Sequence, residues 1–328
     1  MTVPCSLAFA TDASAILDEA EDYLTVNPAQ TLSLLESFNT ADKLPLEQVL
    51  RRHVLVLRAA VPTSKMDLLL QTLELVFQHE QQPYFQQQLT SINSALGIWL
   101  RRNQYLHDAQ LSFECSYKYA TTNKQRLTLT NSMALVARQL NDTEKARKLF
   151  SHALMLAKQS EQTNVVAMVE NNLGLLALDA GKFALAEAHL REALKHYQSI
   201  SQRAGQISAG TNLLASFLLQ QQFDNFQGLY GPTATLAASF PNESKQALLF
   251  WLDTRFQQQH GTVVTTEQRL ALLEAYDKLE DDKVRTLIYH HVASYLGVNV
   301  ALPQPPINKV FERPWFQLVK QCEWPHAS

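Results

Sequence analysis

The sequence predicts an all-α protein, a superhelical solenoid of antiparallel helix pairs. Two observations carry that expectation. Turn-makers are scarce, with 9 Gly and 12 Pro in 328 residues, fewer than an all-β or doubly wound α/β chain of this length needs. An internal repeat also runs through the middle of the chain, and fixed periods of this size are the mark of stacked repeat architectures.

The repeat is read by alignment. Asn172-Leu173-Gly174, Gly181-Lys182-Phe183, Ala186, Leu190 and Ala193-Leu194 lie 40 residues after Ser132-Met133-Ala134, Asn141-Asp142-Thr143, Ala146, Phe150 and Ala153-Leu154. Leu96-Gly97, Ala109, Phe113 and Ser116 precede that copy by 37, and Asn212-Leu213-Leu214, Phe217, Phe223, Phe226 and Tyr230 follow as a degenerate fourth copy. Apolar residues at helical spacing on both sides of a polar break make each unit two amphipathic helices and a turn. Small residues at Gly174, Ala134, Ala186 and Ala146 let the helices of a pair approach closely, so larger side chains there would overpack the contact. The clearest units are 90–126, 127–166, 167–206 and 207–240.

These residues resemble the tetratricopeptide repeat. The best copy, 167–200, has the Leu-Gly, the Gly-Lys-Phe turn and the Ala, Leu and Ala-Leu of the second helix; it departs at Glu170, where an aromatic is usual, at Ala177 in place of Tyr, and in having no closing Pro. The period exceeds the usual value of about 34, and resembles the longer-helix variety of bacterial regulators and peptide receptors. The resemblance implies a right-handed superhelix whose first helices line a concave, peptide-binding groove.

The flanks continue the pattern. Helices are expected over 14–26 and 31–38, with Pro28 placed to start a helix, then over 46–60, 64–81, 244–260, 266–280 and 282–296. Gly228, Gly231-Pro232 and Pro241-Asn242 are expected to interrupt the fourth copy's second helix. Pro303, Pro305 and Pro306 end the array, so the repeat domain is 12–302. The tail, 303–328, crowds Phe311, Trp315, Phe316, Leu318, Val319 and Trp324 together; it is expected to cap the last helical pair or to dock a partner. Residues 1–11 are a flexible N-terminus of a cytoplasmic protein, or, because Ala8-Phe9-Ala10 suits a signal peptidase while a basic region and a long apolar stretch are missing, the remnant of an export signal.

Composition excludes several classes. Lys and Arg total 28 against 31 Asp and Glu, a net charge of −3, which gives no counterion-release drive toward nucleic acid. The apolar stretches at 95–100, 173–178 and 213–219 are far shorter than a membrane span. Cys5, Cys115 and Cys322 are odd in number and lack CxxC spacing, so neither a disulfide framework nor a zinc site is read from them. No nucleotide-binding, metalloprotease, hydrolase or EF-hand motif occurs, and no enzymatic activity, cofactor or metal is expected. His290 and His291 point about 100° apart on a helix and read as one core and one surface residue. Glu170 and Asp179 read as helix-surface carboxylates.

The informative constellation comes from superposing the repeats. Asn171 shares its position with Asn131, Thr211 and Ser94; the next position holds Asn172, Ser132 and Asn212. Primary amides donate to and accept from peptide backbone, and similar Asn ladders hold peptides in tetratricopeptide receptors. Arg101 and Arg138 share a position with Leu178 and Leu218, and Arg102, Gln139, Asp179 and Leu219 form the adjacent row. The expected groove therefore uses Asn131, Asn171, Asn172 and Asn212 along a ligand backbone. Arg101, Arg102 and Arg138 select an acidic feature, Asp179 lies beside them, and Leu175, Leu178 and Leu218 give apolar contact. The two-Lys carboxylate clamp of cochaperones is not reproduced. The expected ligand is another protein or a peptide; a regulatory sensor, whose curvature changes on binding, is the alternative.

Overall fold

The structure, a computed structural model, describes residues 6–37, 44–240, 242–304 and 309–324, with side chains from Ala13 onward. Pro241, Pro305, Pro306 and the side chains of the Ala8-Phe9-Ala10 signal reading lie outside the described residues. In chain order the helices are α1 (Ser6–Tyr23), α2 (Pro28–Ser37), α3 (Leu46–Ala60), α4 (Met66–Phe77), α5 (Pro83–Gln87), α6 (Leu89–Arg102), α7 (Leu106–Lys118), α8 (Asn123–Gln139) and α9 (Thr143–Gln159). They continue with α10 (Thr163–Asp179), α11 (Phe183–Ser199), α12 (Arg203–Leu219), α13 (Phe223–Ala238), α14 (Glu243–Gln259), α15 (Thr266–Asp277), α16 (Asp282–His291), a 3₁₀ turn (Ala293–Leu296) and α17 (Phe316–Gln321). No strand occurs among the described residues. The chain forms two compact units: Met1–Val136 with Ile307–Ser328, and Ala137–Pro306.

From α8 to α14 each helix begins twenty residues after the last, at Asn123, Thr143, Thr163, Phe183, Arg203, Phe223 and Glu243. The turns explain the constancy. Asn141, Glu161, Gly181, Ser201 and Gln221 all have φ between 52° and 68°. The next residue's amide reaches five residues back, as in Gln162 to the Ala157 carbonyl (3.0 Å) and Lys182 to the Ala177 carbonyl (2.9 Å). This is the left-handed helix stop in which the following N–H satisfies a last-turn carbonyl. Only Gly181 takes that conformation without a Cβ penalty.

Within a pair, small residues set the spacing as the sequence implied. A Cβ on Gly174 would lie 2.5 Å from Leu190 Cγ, and one on Gly97 2.7 Å from Phe113 Cε1. The core of the second unit centres on Leu190, Phe217, Phe226, Trp251 and Leu272, all at most 2% exposed, and extends to Ile288 of α16. In the first unit α2 opens at Pro28 as expected, with Asn27 Oδ1 accepting from Gln30 N (3.2 Å).

Four expectations are corrected. Pro232 does not break the fourth copy: it sits inside α13. The residue four before it, whose carbonyl loses its in-helix donor, is Gly228, around which there is open space. The tail does not cap the last helical pair but packs within the first unit. Trp315 stacks on Phe77 (4.1 Å between centroids), Phe311 lies against Trp99 and Tyr105, and Trp324 meets Tyr119 edge-on. Asp108 Oδ2 accepts from Phe311 N and Glu74 Oε2 from Trp315 Nε1, both at 2.7 Å, so the aromatic burial leaves those donors satisfied. Third, Cys115 and Cys322 form a disulfide across 207 residues, a pairing invisible in spacing because it exists only when the tail returns to α7. Finally, His290 and His291 are both exposed, since α16 is an outer layer with Ile288 alone buried.

Candidate binding face

In the second unit the first helix of each pair presents its last turn to one face. Arg138 of α8 reaches it with its side chain 4% exposed, yet it donates to Asp179 Oδ2 (2.5 Å) and Oδ1 (3.0 Å) through Nε and Nη2, and to Asp281 Oδ2 (2.9 Å) through Nη1. The bidentate fork matches a carboxylate in the geometry that favours Arg over Lys. Burial would lower the Arg138 pKa, but the two carboxylates outweigh it and raise it. Burial would raise the Asp281 carboxyl, but Arg138 and the Lys283 amide bring it below its ordinary range. Half-buried Lys245 beside them is lowered by desolvation, with Asp281 opposing.

Asp281 is not on the repeat helices. It caps α16, accepting from Lys283 N (2.9 Å), and α16 lies along this face. Lys283 Nζ bonds Asn141 Oδ1, Val284 and Leu287 pack over Leu175, Leu178 and Leu248, and His291 meets Phe183 edge-on at 5.7 Å. The gap left between them is about 10 Å³, no more than a single water needs. A short segment of the chain's own already fills the face.

The expected site residues fall in two groups. Asn171, Asn172, Asn212, Arg138, Leu175, Leu178, Asp179 and Leu218 belong to the second unit; Asn131, Arg101 and Arg102 belong to the first. The amides are buried, at 4% for Asn131, 8% for Asn171, 7% for Asn172 and 2% for Asn212, and Asn212 Nδ2 donates to Asn171 Oδ1 (3.0 Å), from one row to the next. Arg102 is exposed and donates to Ser64 Oγ (3.3 Å); Arg101 is half-buried. Leu218 lies in the core. Of the two expected surface carboxylates, Asp179 is on the surface and Glu170 is not. Glu170 is 5% exposed and held by His189 Nδ1 (2.7 Å) and Lys158 Nζ (3.3 Å), because it occupies the inward position of the usual aromatic. Asp179 is engaged by Arg138. Sequence reasoning missed Asp281, Lys283, Asn141 and Lys245, since the contacts from Arg138 and Asn141 to α16 span 143 and 142 residues. Among the described residues no group of His, Cys, Asp and Glu is arranged to hold a metal, and no helix is long and apolar enough to cross a membrane.

Paired helices at constant period define a helical-repeat protein. The tetratricopeptide repeat family model matches residues 125–199, and this stretch is tetratricopeptide repeat. Among solved structures the fold is similar to a Rap protein complexed with competence and sporulation factor (12% identity, 88% of this chain and 85% of that one, TM-score 0.64). It is also similar to the Rap conjugation gene regulator of plasmid pLS20 in complex with the Phr* peptide (14%, 90% and 94%, 0.61) and to apo RapI (15%, 81% and 86%, 0.52). At these identities the likeness is one of fold. No curated protein sequence matches the chain.

Proposed function

We propose that this protein is a non-enzymatic receptor for a peptide or protein segment, which it takes on the first-helix face of α8, α10, α12 and α14. The carrying observation is the buried Arg138, already bonded to an acidic residue of a short helical segment laid on that face. An incoming segment would offer its own carboxylate in place of Asp281, with Leu175 and Leu178 as apolar contacts and Asn171, Asn172 and Asn212 fixing the floor. Asn131, Arg101 and Arg102 remain proposed ligand contacts of the first unit, taken by itself. The peptide complexes among the similar structures support this reading. Because the occupant belongs to the chain, binding has to displace α16. That favours the regulatory sensor over a rigid scaffold, since a ligand that prefers one state shifts the population toward it.

The test is a labelled peptide of residues 280–292. It should bind an Asp281→Ala/Lys283→Ala variant, in which α16 is loosened, at least tenfold more tightly than the unaltered protein, and lose that gain when Arg138→Lys is added at unchanged melting temperature. Equal binding to all three proteins overturns the reading. The Cys115–Cys322 disulfide supports an oxidising compartment over the cytoplasm. Thiol alkylation of the protein drawn from its source cell, with and without reductant, checks this.

A further inference from the structure

On a second face of the same unit no segment among the described residues is seated. Between the second helices α9 and α11, floored by α10, runs a groove of about 500 Å³. Its lining on α9 falls at Thr143, Arg147, Ser151, Leu154, Met155 and Lys158, one helical stripe of about 22 Å at 1.5 Å per residue. Leu173, Leu176 and Ala177 make the floor. Met155 and Leu185 stand on its walls 48% and 49% exposed, large apolar side chains facing solvent along the stripe.

The charge around this apolar trough is one-sided. Arg147, Lys158, Lys182 and His189 line it, and no Asp or Glu does. Lys182 makes no ion pair among the described residues. Arg147 is paired only with Glu144 of its own helix, both more than half exposed, an arrangement worth little and easily exchanged. Lys158 touches buried Glu170, but His189 holds that carboxylate as well, and the Lys158 side chain stays 58% exposed. Helix α9 carries Lys145, Arg147, Lys148 and Lys158 against Glu144, in a chain whose net charge is −3.

The next repeat supplies an internal comparison. Forty residues on, Ser151, Leu154, Met155, Leu173, Ala177 and Leu185 become Arg191, Leu194, Lys195, Leu213, Phe217 and Asn225, which line the corresponding groove of about 410 Å³. There Asp224 joins the lining, Phe217 lies under Arg191 (4.8 Å) and Met155 has become Lys195. The architecture repeats, but the combination of apolar walls and an all-cationic rim belongs to the first groove alone of the two.

We propose that the α9–α11 groove is a docking site for an acidic amphipathic helix of a partner protein. A trough of this length between two helices suits a helix laid along it with apolar residues at i, i+3 or i+4 and i+7. Met155 adapts to the seated side chains, and the cationic rim steers and orients carboxylates on the flanks of the helix. The proposal is independent of the first-helix face.

The experiment pans a displayed library of random 16-residue peptides against the full chain, then measures each selected peptide by fluorescence anisotropy. Three variants are compared: Met155→Glu/Leu185→Glu, which alters only exposed walls; Lys182→Glu, which alters only the rim; and Arg138→Lys on the other face. The expected peptides are net acidic with helically spaced apolar residues. They lose at least tenfold in affinity on the first variant and severalfold on the second, and keep it on the third, with melting temperatures matched to the unaltered protein. Selected peptides that are neutral or basic, that ignore both groove variants, or that depend only on Arg138 overturn the proposal, as does an empty selection. Phosphatidylglycerol vesicles bound through the same residues, with no peptide bound, also overturn it in favour of a lipid surface.

Discussion

His53 shows how one residue couples burial to pH. Its imidazole is half-buried on α3 with Nδ1 unpartnered; desolvation first, then Arg52 and His79, push its pKa down from 6.5 to about 4. A histidine depressed in the folded state costs stability on acidification, because the unfolded chain takes up its proton first. Stability should therefore fall as pH drops from 6.5 toward 4. Urea melts at pH 7 and pH 4.5 should show this loss, and His53→Leu should remove most of the difference; an unchanged difference would place the acid sensitivity elsewhere. The repeated turns offer a residue-scale gain. Glu161 pays for a Cβ at φ 52°, where a left-handed conformation costs about 1–2 kcal/mol. Glu161→Gly should raise stability by about 1 kcal/mol, read as a higher melting temperature, whereas Gly181→Glu at φ 68° should lower it by a similar amount.

At the scale of elements, helix pairs are spaced by their smallest residues. Gly174→Ala would bring a Cβ to 2.5 Å of Leu190 Cγ and 3.3 Å of the Ala186 carbonyl, so both the Leu190 side chain and the α11 backbone have to give way. Overpacking of this kind costs about 1–3 kcal/mol. Denaturant unfolding of Gly174→Ala should show that loss, and a paired Leu190→Ala should recover part of it through non-additivity of contacting sites. This much was legible in advance: the Gly174 and Ala186 positions announced themselves by recurring at fixed offset. Helix α13 was not, because the rule that proline breaks helices is argued from the average neighbour. Here the neighbour is Gly228, and tertiary burial of Phe226 and Thr233 holds the helix together across the missing bond.

For the whole molecule, the tail and the disulfide are the long-range ties. Cys115 and Cys322 close a loop of 207 residues, and cross-links over long loops restrict the unfolded chain most in the chain-entropy account. Removing such a bond costs about 2–5 kcal/mol, so Cys115→Ser/Cys322→Ser should melt lower than the oxidised parent. Amide exchange should rise in α17 and around Phe311, where the tail lies on Phe77 and Trp99. Reduced parent and double variant should melt alike; a variant that matches the oxidised parent would show that aromatic packing alone holds the tail.

By itself the sequence determined the fold class, the repeat, its register and the small residues that space it. All of these arise from interactions between residues within about 40 positions of one another, so they recur at regular offset and can be read by alignment. The face was only half legible. Arg138 and Asp179 fall in adjacent repeat rows, and the asparagines in two further rows, so alignment singles them out, but not their surroundings. The burial of Glu170 depends on which neighbours close over it, and the link from Arg138 to Asp281 depends on α16 returning across 143 residues. The tertiary structure alone decided those contacts, together with the tail's place on α4 to α7 and the Cys115–Cys322 bond. Each is made once rather than once per repeat, so no periodicity in the chain records it.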